Sequence, residues 1–135
     1  MYFVEYTNKS IDFYKYMGKY LANRTIVKEL GMPVWDDDNK NWVLAFEKGE
    51  CVAFSSYVIE RNKAVLKSSW VSPVYRGKRI YAQMLEIRLS IILKIQHIKI
   101  VESTATEMSK GSHIRNGFEI VRMKGKYYFM RRLLY

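Results

Sequence analysis

The sequence predicts an α/β (α+β) fold, a mixed, mostly antiparallel sheet of six or seven strands flanked by about four helices. Three observations predict it. Three strand-like runs follow one another at hairpin spacing between Trp42 and Trp70. The last of them leads through a basic turn into a long helix-like run and then a short apolar one. The chain closes on a further hairpin.

Element by element, Tyr2, Val4 and Tyr6 alternate as a short first strand does. Ser10 is a suitable N-cap for Ile11, Tyr14, Met17-Gly18 and Leu21-Ala22, an apolar face at helical spacing. It continues through Ile26, Val27 and Leu30 to Gly31 and Pro33, so one or two helices are expected. Asp36-Asp37-Asp38-Asn39 reads as a solvated loop, because the later ligands and turn glycine of a calcium loop are missing. Its acidity could attract a cationic amine. Strands are expected over Trp42 to Glu47, Cys51 to Ile59 and Ala64 to Trp70, turned at Lys48-Gly49-Glu50 and Arg61-Asn62-Lys63. Met84-Leu85, Ile87, Ile91-Ile92 and Ile95 give the run from Ile80 to Gln96 a wide apolar stripe that should pack on the sheet. Ile98 to Val101 fits a central strand parallel to the one before the helix. A short helix over Ser109 to Asn116, closed by Gly117, precedes a hairpin of Phe118 to Met123 and Tyr127 to Leu133.

The chain has 135 residues, about half apolar, which suits one domain over residues 1–135 with a real core. One cysteine, Cys51, forms no internal disulfide and is expected in a buried strand. No Cys/His cluster has the spacing of a metal site, so neither structural zinc nor any other metal is expected, and a reducing, cytoplasmic setting is. The N-terminus is too short and polar for a signal peptide, and no run is long and apolar enough to span a membrane. The formal charge of +10 favours anionic partners, whether a phosphorylated cofactor, nucleic acid or an acidic protein face. Nucleic acid ranks last, because the tyrosines alternate as core residues do and no basic–aromatic motif recurs.

Val71-Ser72-Pro73-Val74-Tyr75-Arg76-Gly77-Lys78-Arg79 carries the most information. It joins a strand to a helix, and N–H groups in a tight basic turn at the positive end of a helix dipole suit the phosphates of a nucleotide-like cofactor. A plain strand-to-helix connection with solvated charges is the alternative.

That segment, the element order and His113-Ile114-Arg115-Asn116-Gly117-Phe118 together resemble the GCN5-related N-acetyltransferase (GNAT) superfamily, over Trp42 to Leu133. The resemblance implies a pyrophosphate turn, Arg/Gln-x-x-Gly-x-Gly/Ala, at Arg76, Gly77, Lys78, Arg79, Ile80 and Tyr81. It also implies that the strand end at Trp70 and Val71 contacts the acetyl and pantetheine end of acetyl coenzyme A (acetyl-CoA). Thr106 stands where an asparagine often precedes the later helix. His113 falls where the family has a tyrosine acting as acid toward the departing thiolate. Arg79 and Tyr81 replace small residues, so a binding turn requires the Tyr81 ring to point away from the cofactor, while Arg79 could add a contact to the phosphates.

The activity so implied is transfer of an acetyl group to a primary amine, in a small molecule or a protein, directly within a ternary complex. Proximity does most of that work, so the base can be a weak group. Glu102 and Glu107 are the nearest carboxylates to the later strand and His113 is the candidate proton carrier, giving up a proton to the thiolate or relaying one from the amine. Were the turn blocked, the same fold would serve as a non-catalytic protein-binding domain. The open sheet edge and Tyr127-Tyr128-Phe129 suit a homodimer.

Overall fold

The structure, a computed structural model, describes residues 1–134. One seven-stranded sheet runs through it. In chain order the elements are β1 (Tyr2–Tyr6), α1 (Phe13–Met17), α2 (Arg24–Leu30), β2 (Lys40–Glu47), β3 (Glu50–Glu60), β4 (Lys63–Val71), α3 (Ile80–Leu93), β5 (Ile100–Ala105), α4 (Glu107–Arg115), β6 (Glu119–Lys124) and β7 (Tyr127–Leu133). The strand order is β1-β2-β3-β4-β5-β7-β6, with every neighbouring pair antiparallel except β4 and β5. This is the mixed, mostly antiparallel sheet with four flanking helices that the sequence predicts.

Alternation along the central strands sorts the core into two faces. Trp42, Leu44, Phe46 and Phe54 meet Phe13, Met17 and Ile26 of α1 and α2. Val43, Ala45 and Ala53 point the other way, onto Ile80 and Met84 of α3. Both faces of β2 and β3 are therefore covered, and these strands read as nearly continuous buried runs. A third cluster joins Leu85, Leu89 and Ile92 of α3 to Val101, Ala105, Phe118 and Met130. Cys51 is buried in β3, as expected.

Local chemistry shifts several boundaries. Ser10 does not cap the first helix: its Oγ accepts the Thr7 N–H at 2.9 Å in the preceding turn, and α1 begins after Asp12 without a side-chain cap. The apolar run then breaks into two helices at Ala22, whose φ is 60°, and Asn23 caps α2 by accepting from the Thr25 and Ile26 N–H groups. Helix α3 stops at Leu93, not Gln96, and the strand after it begins at Ile100, because Ile98 is spent as a buried plug in the connection. Helix α4 begins two residues earlier than predicted. Thr106 and Ser109 form a reciprocal capping box at its start, and Gly117 ends it at φ 86°.

Trp42 is fully buried between α1 and β3. Replacing it with alanine is expected to cost about 3–5 kcal/mol of stability, the range for a buried large aromatic. Urea unfolding followed by circular dichroism measures this, and a loss below about 1 kcal/mol would place the tryptophan outside the core.

Candidate functional site

The sheet opens at its one parallel junction. Lys63, Ala64 and Val65 pair with Ile100, Val101 and Glu102, and no further pairs form. Beyond that point β4 stays with β3 as far as Val71, while β5 stays with β7 as far as Ala105. Lys67 and Ser68 of β4 together oppose the single Ser56 of β3, a bulge that adds local twist to β4. The Ser56 hydroxyl spans it to the Ser68 carbonyl at 3.2 Å. Between the parted strands lies a cleft of about 1010 Å³, bordered by Leu66 to Val71 on one side and Ser103, Thr104 and Thr106 on the other.

The basic turn stands at the mouth of this cleft. Gly77 has φ 78° and Arg79 φ 64°, so two of the three residues before α3 take left-handed conformations. Arg79 does so at a strain of roughly 1–2 kcal/mol. No side chain caps α3, and Ile80, Tyr81 and Ala82, whose N–H groups open the helix, all line the cleft. A Cβ on Gly77 would meet no atom within 4 Å, so the cradle is open there.

Each predicted cofactor contact can be placed. Trp70, Val71, Arg76, Gly77, Arg79, Ile80, Tyr81 and Thr106 line the cleft; Lys78 does not, its ammonium lying 5.5 Å from the Tyr75 ring centre. Arg76 is braced by the Val71 carbonyl at 2.8 Å, Glu29 at 2.7 Å and the Trp70 ring. The Arg79 side chain turns outward, 3.6 Å from Glu86. The Tyr81 ring turns inward, with its centre 6.1 Å from that of His113, and packs on the core. Neither large residue fills the cradle.

The predicted proton carriers are dispersed. Glu102 pairs with Lys63 at 3.1 Å, and Glu107 pairs with Lys110 at 3.2 Å and accepts the Tyr128 hydroxyl. These contacts, the phenol first, hold the Glu107 carboxyl below the ordinary range. Neither carboxylate borders the cleft.

His113 has no exposed surface. Its Nδ1 faces the Ser109 carbonyl at 2.9 Å, which only accepts, so the ring proton sits on Nδ1. Nε2 therefore accepts from the Ser103 hydroxyl at 2.8 Å, and Ser103 is the member of the pair that borders the cleft. Burial, and then the nearby Arg88 guanidinium, push the imidazole pKa down against the pull of the Ser109 carbonyl. His113 is thus neutral, an acceptor at Nε2.

Sequence reasoning missed Ser103 and Arg88. Ser103 sits in a polar stretch of β5 with nothing in sequence to tie it to His113. Arg88 could have been found, since it lies four residues from both Met84 and Ile92 on the apolar face of α3. The Asp36 to Asp38 loop is more engaged than a solvated loop. Asp36 accepts the Tyr14 hydroxyl, Asp37 lies 3.8 Å from Lys40, and Asp38 accepts from Asn8 at 2.7 Å.

The fold has counterparts among known proteins. The model of the acetyltransferase (GNAT) family matches residues 16–109, and the chain belongs to that family. Its fold is similar to that of Escherichia coli ElaA, with a TM-score of 0.79 at 17% identity over 98% of this chain and 99% of that one. An acyl-CoA N-acyltransferase from Pseudomonas aeruginosa is similar at a TM-score of 0.76, 16% identity, and 97% and 98% coverage. The PaiA N-acetyltransferase of Thermoplasma acidophilum, solved in complex with coenzyme A, aligns at a TM-score of 0.59 and 20% identity over 95% of this chain and 80% of that one. No curated protein matches the chain in sequence.

The state of His113 has a pH consequence. Its folded pKa lies below the ordinary 6.5, so the unfolded chain binds the extra proton first as pH falls. The stability His113 contributes is complete above about pH 6.5 and is lost as pH drops through the folded pKa. Urea midpoints measured across pH 5 to 7.5 should fall on the acid side, and less steeply in His113→Gln. An equal acid slope in both proteins would assign the loss to other groups.

Proposed function

We propose that the protein is an N-acetyltransferase that moves the acetyl group of acetyl-CoA to a primary amine, in a small molecule or a protein, by direct transfer in a ternary complex. The observation that carries this reading is the opening between β4 and β5, which runs into the uncapped N-terminus of α3. Free N–H groups at the positive end of a helix suit a diphosphate. The unpaired edges of β4 and β5 offer backbone groups to the amides of a pantetheine arm. The coenzyme A complex of the Thermoplasma relative supports the same ligand class. The alternative of a non-catalytic binding domain needs a blocked turn, and Arg79 and Tyr81 both lead away from it. The reading implies a cytoplasmic enzyme.

In the reaction the amine nitrogen attacks the thioester carbonyl carbon, the C–N bond forms, and the C–S bond breaks. The amine must lose a proton and the thiolate must gain one. Ser103 and His113 are suited to both halves as a relay. Ser103 Oγ takes the amine proton while its own passes to Nε2 of His113. Burial beside Arg88 destabilises the imidazolium, so the proton returns by the same hydroxyl to the thiolate. The acid function expected of His113 is thereby exercised through Ser103.

Isothermal titration with acetyl-CoA is expected to give binding in the micromolar range. Arg76→Ala should weaken it by about tenfold, the worth of one charge-assisted contact, with an intact fold. No heat or stabilisation at millimolar acetyl-CoA would end the proposal. Ser103→Ala should lower kcat by about 10²-fold with KM for acetyl-CoA within a few-fold, as general acid–base groups do. An equal loss in KM would make Ser103 a binding residue only.

A further inference from the structure

Helix α3 carries a buried arginine where a leucine would pack. Arg88 lies on the inward face in line with Tyr81, Met84, Leu85 and Ile92, and only 1% of its surface is exposed. Two of its three nitrogens are used: Nε donates to the Met84 carbonyl at 3.4 Å and Nη1 to the Ser56 carbonyl at 3.0 Å. That second bond falls at the residue opposite the β4 bulge. Nη2 is buried and has no partner, and among the described residues no carboxylate forms an ion pair with the guanidinium.

Its polar neighbours do not supply a negative charge. The Tyr81 phenol approaches closely enough to favour the charged guanidinium but lacks the geometry of a hydrogen bond to it, and the imidazole of His113 is neutral. Burial lowers the pKa, but an arginine stays protonated in a protein. A full positive charge therefore sits in the interior with no internal counter-charge, an arrangement that structures ordinarily avoid. Arg88 also borders the cleft between β4 and β5. The missing partner can therefore arrive from the cleft.

Position along α3 identifies which part of a ligand it would be. Arg88 is eight residues beyond Ile80, roughly 12 Å deeper than the helix end suited to the diphosphate. The negative charges of coenzyme A are all at its nucleotide end, and the pantetheine arm is uncharged. An anion that reaches Arg88 on this ligand belongs to the acyl group.

We propose, resting on the reading of the cleft as a coenzyme A thioester site, that Arg88 selects the acyl donor, its free Nη2 pairing with the terminal carboxylate of a short dicarboxylic acyl group. Besides acetyl-CoA, the site accordingly takes malonyl- or succinyl-CoA and binds one of them more tightly. A guanidinium fork is the side-chain group best matched to a carboxylate. The Ser56 and Met84 carbonyls hold it in place before the ligand arrives.

The test is a set of binary titrations of the full chain, without acceptor, using coenzyme A, acetyl-CoA, malonyl-CoA and succinyl-CoA. One of the dicarboxylic thioesters should bind at least about tenfold more tightly than acetyl-CoA, the scale of a charge-assisted pair. Arg88→Met, close in size and uncharged, should abolish that preference, and Arg88→Lys should keep part of it. Should the methionine variant fail to fold, the preference of the unaltered protein still decides. Coenzyme A and acetyl-CoA binding as well as both dicarboxylic thioesters would overturn the donor assignment while leaving the thioester site standing. So would a preference that survives in Arg88→Met. Failure of all four to bind would overturn both.

Discussion

Everything distinctive about this protein follows from a competition between strand partners. β4 and β5 are neighbours in the sheet, yet each has a longer antiparallel partner on its far side, β3 for one and β7 for the other. Antiparallel ladders outlast the parallel one, and the extra residue in β4 increases its local twist where the two strands part. A sheet cannot part in its middle without leaving backbone groups unmatched. Here the fold tolerates that cost at one place, and the helix that follows β4 aims its open end at the same gap.

The polar groups around the gap are organised by burial. Along the line Ser109, His113 and Ser103, each bond fixes the next, because a carbonyl can only accept and so determines which imidazole nitrogen holds the proton. Tyr81 extends this cluster from α3, and its inward turn has a second effect, freeing the space over the turn that a side chain at that position would otherwise occupy. The replacement of a small residue by tyrosine is thus compatible with an open cradle for a geometric reason: at the second residue of a helix the side chain can swing under the helix.

How much of this was legible in the sequence depended on whether the signal was local. Hairpin turns at Lys48-Gly49 and Lys124-Gly125 and the alternation of Trp42, Leu44 and Phe46 located the strands to within a few residues. The strand-to-helix turn was legible because glycine, basic residues and a strand end coincide there. Helix ends were less legible: Ser10 and Asn23 are both good caps by composition, and only the chain path to Thr7 decides that Ser10 serves a turn. The bulge at Ser68 and the Ser103–His113 bond join residues that no local pattern connects. Glu102 and Glu107 were proposed for nearness in sequence, and their ion pairs, with Lys63 on β4 and Lys110 on α4, are set by strand pairing in one case and by helix phase in the other.

Cys51 sits beneath Tyr20, whose hydroxyl bonds to its carbonyl, and the interior pushes its thiol up to about 11. At neutral pH almost none of it is thiolate, and the sulfur is sealed between the central strands and the first helices. Alkylating or oxidising reagents can therefore reach the single sulfur of cysteine in this chain only when the α1–α2 cap lifts from the sheet. The rate of that chemistry reports breathing of the cap and is silent about turnover, which makes the native sequence its own clock for local unfolding.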